Sequence, residues 1–248
     1  MPLEVIGGLF GERFGAGAPV LALHGWGRSR RDWAAVLGVT GGLALDLPGF
    51  GATPPPAEAM GAAGYAEAVE SALDAVGGPV VVAGHSFGGR VAVHLAVRRP
   101  DAVAALVLTG SPLVRLPGAR SGMSPRYRAV RLARRLRLVP EGTLEQARRR
   151  HGSADYRAAT GVMRQVLVRV VGESYEEELS AVACPVHLVW GAEDRVVPVA
   201  VAERALALLA DGTLTVLPGV GHDVPAQAPG ALTAAIGEYL PRPGGAPS

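Results

Sequence analysis

Val80-Val81-Val82-Ala83-Gly84-His85-Ser86-Phe87-Gly88-Gly89 decides how the rest of the chain is read. A short β-branched apolar run stops at small residues, and Val91, Val93, Leu95, Ala96 and Val97 then follow at helical spacing. That pattern is a buried strand, a sharp turn and a helix. Ser86 occupies the apex of the turn, with Gly84 before it and Gly88 after it. A serine in a sparsely populated backbone conformation needs neighbours without bulk, because strand and helix nearly collide there. The turn lifts the hydroxyl clear and leaves a helix N-terminus facing whatever it attacks. This is a G-x-S-x-G nucleophile elbow in a strand–turn–helix context. The alternative is a glycine-rich turn in any α/β protein, and the flanking strand and helix weigh against it.

Upstream of the elbow, Leu3 to Phe14 reads as two short strands joined through Gly7-Gly8. Pro19–Leu23 is a buried strand that empties into His24-Gly25-Trp26-Gly27. A short helix over Asp32–Leu37 leads to a strand over Gly42–Leu45, which ends at Asp46-Leu47-Pro48-Gly49-Phe50-Gly51. An amphipathic helix spans Tyr65–Val76, and after the elbow's own helix a strand runs from Val103 to Leu108. Near-continuous apolar strands alternating with helices predict an α/β fold whose mostly parallel sheet is covered on both faces. After Ser111-Pro112 the rhythm breaks. Up to about Ser180 there are only helical stretches, at Tyr127–Leu138, Leu144–Arg150 and Tyr156–Val171. The alternation resumes with a strand Pro185–Trp190, a helix Val199–Leu209, a strand Leu214–Leu217 and a helix Ala231–Leu240. The predicted organisation is a core of 1–111 and 181–240, an all-helical insertion at 112–180, and a disordered Pro/Gly-rich tail at 241–248.

A chain of 248 residues suits one large α/β domain with an insertion. No apolar run is long enough to span a membrane, and the start carries no secretory pattern. The single cysteine, Cys184, excludes an internal disulfide framework and fits a reducing cytoplasm. Beside Pro185 in a strand-like run, it reads as a buried structural thiol. None of the 24 basic residues is lysine. Residues 112–180 hold 14 arginines against 7 acids, a net charge of +7, while the remainder of the chain is net negative. The simple explanation is a solvated helical face with arginine in place of lysine. The sharper one is steering of an acidic partner, such as an acyl carrier protein. Nucleic acid fits poorly, since few aromatics interleave with the charge.

A serine hydroxyl is a poor nucleophile until a base takes its proton and an acid orients that base. The chain supplies both, in the order Ser…Asp…His that accompanies this elbow. Asp194 stands in Trp190-Gly191-Ala192-Glu193-Asp194 beyond one strand, and His222 in Gly219-Val220-Gly221-His222-Asp223 beyond the next. Loops at the carboxyl ends of parallel strands share one sheet edge, so Ser86, Asp194 and His222 can converge. Glu193 is the rival acid and Asp223 a weaker one. Asp194 is preferred because the turn Asp194-Arg195-Val196-Val197-Pro198 fixes it towards the sheet edge. An oxyanion formed by the attack needs preorganised donors. The backbone N–H of Phe87 supplies one and that of Trp26 the other, which places the Trp26 indole on the acyl pocket.

Together, His24-Gly25-Trp26-Gly27, Asp46-Leu47-Pro48-Gly49-Phe50-Gly51, Gly84-His85-Ser86-Phe87-Gly88-Gly89, Gly191-Ala192-Glu193-Asp194 and Gly221-His222 resemble the α/β-hydrolase superfamily. The resemblance covers nearly the whole chain, with the insertion where that family carries a helical cap. The His-Gly-Trp stretch and the size of the cap are similar to small carboxylesterases of the pimeloyl-carrier-protein methyl ester esterase type. Serine at the nucleophile position departs from haloalkane dehalogenases and epoxide hydrolases, which use aspartate. The resemblance implies that His24, Gly25, Gly84, His85 and Gly88 support the catalytic loops. It implies a cytoplasmic serine hydrolase that cleaves a small-molecule carboxylic ester with no cofactor. The same triad also serves carbon–carbon bond hydrolases, proline iminopeptidases and cofactor-free peroxidases, and the fold can serve as a non-catalytic binding module. His94 and His187 read as core or edge residues and His151 has no assigned role. No histidine pairs with cysteine or carboxylates at metal-ligand spacing.

Overall fold

In the computed structural model, residues 2–15, 19–116 and 154–241 are described. The expected helices at 127–138 and 144–150, His151, and the expected tail from 242 onward lie outside them.

Eight strands form one sheet: β1 (Glu4–Ile6), β2 (Leu9–Phe14), β3 (Val20–Leu23), β4 (Gly42–Leu45), β5 (Val80–His85), β6 (Val103–Thr109), β7 (Val186–Gly191) and β8 (Gly212–Leu217). Their spatial order is β1-β2-β4-β3-β5-β6-β7-β8. The first hairpin and the β2–β4 pair are antiparallel, and every other pairing is parallel. The α/β class and mostly parallel sheet therefore agree with the sequence reading. Side chains along a strand alternate between faces, which explains why one apolar run feeds two cores. Leu21, Leu23, Val80 and Val82 join one cluster, while Val20, Ala22, Val81 and Ala83 join the other.

Helices α1 (Ala34–Thr40), reached through a 3-10 turn at Arg30–Trp33, and α9 (Pro229–Gly237) cover the second face. Helices α2 (Ala62–Asp74), α3 (Phe87–Arg98) and α7 (Val199–Leu206) cover the first. Within 154–181 the chain forms α4 (Ala154–Ala158), α5 (Gly161–Val171) and α6 (Glu176–Ala181). The expected continuous helix Tyr156–Val171 is broken at Ala159-Thr160, and Gly161 adopts a left-handed φ of +51° at the restart. Buried Val166, Leu167 and Val170 of α5 join the core on the α3 face. Arg90 of α3 reaches the same segment, donating from Nη1 to the Val170 carbonyl at 2.7 Å.

Strand β3 is fully buried and marks where the strand order reverses, with β4 on one side and β5 on the other. Open α/β sheets place ligands outside the carboxyl ends of strands at such a point. The parallel register sets Leu23 opposite Gly84, so the chain leaves β3 and β5 side by side. At the far edge β8 is largely exposed, unlike the buried strands it continues. Cys184 departs from expectation: it is only partly buried, because it precedes β7 instead of lying within the strand, and burial raises its thiol to about 11.

Candidate active site

The elbow's conformation follows from its neighbours. Ser86 has φ +50° and ψ −108°, and it is the only non-glycine with positive φ among the described residues. Such a backbone is strained for a side-chain-bearing residue and persists only where the surroundings enforce it. A Cβ on Gly84 would lie 2.6 Å from Gly89 Cα, and one on Gly88 would lie 2.2 Å from the Leu23 carbonyl oxygen. Strand and helix thus close to distances that exclude any side chain. The Ser86 amide donates to the Thr109 carbonyl at 2.9 Å, pinning the apex to β6. Phe87 begins α3, and the first amides of a helix have no partner within it.

The loop after β3 lies against this apex. A Cβ on Gly25 would stand 3.0 Å from His85 Nδ1 and 3.3 Å from Ser86 Cβ. His24 is fully buried and joins two chain segments. The Leu47 amide donates to its Nε2 at 3.0 Å, so the proton sits on Nδ1, which donates to the Gly25 carbonyl at 2.7 Å. Burial pushes the His24 imidazole below its ordinary range, which keeps it neutral for that arrangement.

The Asp46–Gly51 motif is a latch beneath this loop. Buried Asp46 accepts from the Arg30 amide at 2.8 Å and from Arg30 Nη1 at 2.6 Å, and its second oxygen also takes the Ala52 amide at 2.8 Å. The latch presents Phe50 to an aromatic cluster. Trp26 meets Phe50 edge-on at 5.0 Å and Phe87 at 5.6 Å, while Tyr65 meets Phe87 at 4.8 Å. The Tyr65 hydroxyl donates to the Pro48 carbonyl at 3.0 Å. Phe50 and Tyr65 were not singled out in the sequence, although Phe50 sits inside a quoted motif.

Asp194 and His222 come together across the other half of the sheet edge. His222 Nδ1 donates to Asp194 Oδ2 at 2.8 Å, which leaves Nε2 as the nitrogen able to accept a proton. Asp194 Oδ1 accepts from the amides of Val196 and Val197 at 2.8 and 2.7 Å, as the turn after Asp194 suggests. The Trp190 indole donates to the Val197 carbonyl at 2.8 Å and fixes that turn to β7. Burial works against the Asp194 charge, but the His222 bond and the two amides outweigh it and hold the carboxyl below its usual range. Glu193 is exposed. The Asp223 carboxylate pairs instead with Arg28 Nη2 at 2.8 Å.

His222 reaches the elbow through backbone and ring neighbours. His85 Nε2 donates to the His222 carbonyl at 3.1 Å, with the two rings 5.1 Å apart. A Cβ on Gly110, next to the carbonyl that holds Ser86, would lie 3.0 Å from His222 Cε1. Burial, then the nearby His222, lower the His85 imidazole to about 4. His94 and His187 lie in α3 and β7, away from this edge. Among the described residues no three His, Cys, Asp or Glu side chains gather as a metal site, and no helix is long and apolar enough to cross a membrane.

Comparison with known proteins places this geometry in a lineage. The alpha/beta hydrolase family profile matches residues 20–236. The pimeloyl-[acyl-carrier protein] methyl ester esterase of Aromatoleum aromaticum is 31% identical over 230 residues, which is 82% of this chain and 90% of that protein. Lipase LipV of Mycobacterium tuberculosis is 46% identical over 115 residues, covering 44% of this chain and 43% of the lipase. A solved thermophilic esterase superposes with a TM-score of 0.69 at 26% identity, covering 96% of each chain. This chain belongs to the alpha/beta hydrolase family.

Proposed function

We propose that this chain hydrolyses carboxylic esters through an acyl-enzyme formed on Ser86. Kinship supports the coarser part of this reading: two relatives at 31 and 32% identity over most of the chain are methyl ester esterases. The observation that carries the finer part is the 2.8 Å Asp194–His222 bond standing beside a serine held at φ +50°. In this reading His222 Nε2 takes the Ser86 proton as Oγ attacks the ester carbonyl. Asp194 keeps the ring oriented and stabilises the imidazolium. The amides of Trp26 and Phe87 receive the oxyanion, each typically worth about 3 kcal/mol of barrier. His222 then protonates the departing alkoxide, and water activated by the same nitrogen releases the acid. No cofactor enters these steps. Trp26, Phe50, Phe87 and Tyr65 form the apolar wall that receives the acyl group.

Residues 112–180 serve in this proposal as a cap over the site. Its arginines recruit an acidic carrier protein bearing the ester. Arg131–Arg137 and Arg148–Arg150 lie outside the described residues, so the charge count of the segment supports this part. Reversing Arg134, Arg135, Arg148 and Arg149 to glutamate is expected to raise KM for a carrier-bound ester and leave a small neutral ester unaffected.

The deciding experiment is a panel of p-nitrophenyl esters of increasing acyl length, run beside a thioester, a diketone and an N-terminal proline peptide. Ester turnover with a burst of p-nitrophenol supports an acyl-enzyme. Preference for the diketone or the peptide would move the assignment to a carbon–carbon hydrolase or an iminopeptidase.

A further inference from the structure

A charge pair ties the histidine loop to the oxyanion loop. Arg28 follows Gly27, and its amide closes a turn onto the Gly25 carbonyl at 3.2 Å. Its Nε donates to Asp32 Oδ2 at 2.6 Å and its Nη2 to Asp223 Oδ2 at 2.8 Å. Asp32 anchors the guanidinium to its own loop, so the second bond holds the other loop and not a swinging side chain. Asp223 lies 195 residues further on, directly after His222, at the start of α8 (Val224–Gln227), where its side chain makes no capping bond. Asp223 Oδ1 is buried with no hydrogen-bond partner, so Arg28 is the cation that answers this carboxylate.

We infer that Arg28 is a positioning residue, which through Asp223 holds His222 at its working distance from the elbow. The inference rests on the reading of Ser86, Asp194 and His222 as a triad. The histidine loop leaves the edge strand β8, exposed or half-buried along its length, with no further strand beside it among the described residues. Asp194 sets the imidazole and His85 holds the His222 carbonyl. The Arg28–Asp223 pair adds the tie between this loop and the loop after β3. An ion pair this exposed contributes little to stability, so its effect is geometric, and small displacements of a catalytic group cost rate steeply.

The ionisable groups that touch His222 are Asp194 at its ring and His85 at its carbonyl, while Asp223 follows it in the chain and faces Arg28. Displacement of the base acts on kcat and leaves KM in place, whereas damage to the substrate pocket would move both.

The test is kcat and KM of Arg28→Gln, Asp223→Asn and the double variant, on the best ester of the panel. Each single change is expected to lower kcat roughly tenfold with KM within about twofold, and the double to be no slower than the worse single. Arg28→Lys keeps the charge but lacks the fixed planar fork that meets Asp32 through Nε and Asp223 through Nη2; it should lose kcat with KM unmoved, and it carries the test if Arg28→Gln does not fold. Wild-type kinetics in the single variants, losses that fall on KM instead of kcat, or losses that add in the double, would overturn the inference. Ser86→Ala is run alongside, and turnover by that protein would instead sink the triad reading on which the inference stands.

Discussion

The loops after β3 and β5 close on one another at distances that leave almost no room for a Cβ, whereas the His222 loop after β8, which presses as closely on Gly191, is also tied down by a set of side-chain hydrogen bonds. On the first side Gly84 and Gly88 leave no room for a Cβ, Gly25 leaves little, and the strands beneath are buried. On the second side β7 is buried, while β8 is exposed or half-buried along its length. His222 there depends on Asp194 at its ring, His85 at its carbonyl, Gln227 at the Gly221 amide and Arg28 through Asp223. The contrast matches the division of labour proposed above. A nucleophile and an oxyanion hole gain from fixed donors that need no reorganisation, while a base must accept and release a proton at each step.

The comparison can be broken at its strongest hydrogen bond first. Asp194→Asn removes the acceptor that selects the His222 tautomer and is expected to lower kcat by roughly 10⁴ with the fold intact. Glu193→Gln, on the exposed neighbour, should leave kcat unchanged. If Glu193→Gln were the more damaging change, the acid would be misassigned.

The steric half breaks differently. Gly88→Ala drives a methyl into the Leu23 and His24 carbonyls, at 2.2 and 2.7 Å. It should destabilise the fold by about 3 kcal/mol, at the upper end of overpacking costs, read as a lower urea midpoint. Gly25→Ala meets only the His85 ring and Ser86 Cβ at 3.0 and 3.3 Å. It should cost less stability while still slowing turnover. Equal midpoints for the two variants would contradict the idea that backbone closure holds this side.

A smaller effect sharpens the boundary between the halves. His85 titrates at about 4 in the folded protein against 6.5 when exposed. The unfolded chain therefore takes up a proton that the native state refuses between those values. Its contribution to stability is complete above about pH 6.5 and is lost as pH falls towards 4, amounting to about 3 kcal/mol. His24 is depressed in the same direction and adds to the same slope. Asp194, held below its ordinary range, loses its contribution at lower pH still. His85→Gln should flatten the fall of the urea midpoint between pH 6.5 and 4, and an unchanged slope would show that His85 is protonated in the native state.

What could be read in the sequence was what is local in it. The elbow, the His-Gly-Trp-Gly turn and the strand ends each carry their signal within a few residues, because turn sterics and strand periodicity act over that range. Helix α6 escaped notice because Glu176-Glu177-Glu178-Leu179-Ser180-Ala181 buries only Leu179 and shows no apolar stripe. The break before Gly161 escaped because the apolar spacing of α5 runs on without interruption into the residues before it. Arg28 carries no local mark at all. Its partner lies 195 residues away, and only the sheet brings the two loops together. The exposure of β8 was equally invisible, since position at the edge of a sheet is a property of topology and not of composition.

The most direct test of the central claim is labelling by a serine-directed phosphonate, read by peptide mass. The account predicts one phosphonate per chain, attached to Ser86, with labelling strongly slowed in Asp194→Asn and abolished in Ser86→Ala. Labelling at another serine, or undiminished labelling of a folded Ser86→Ala protein, would contradict it.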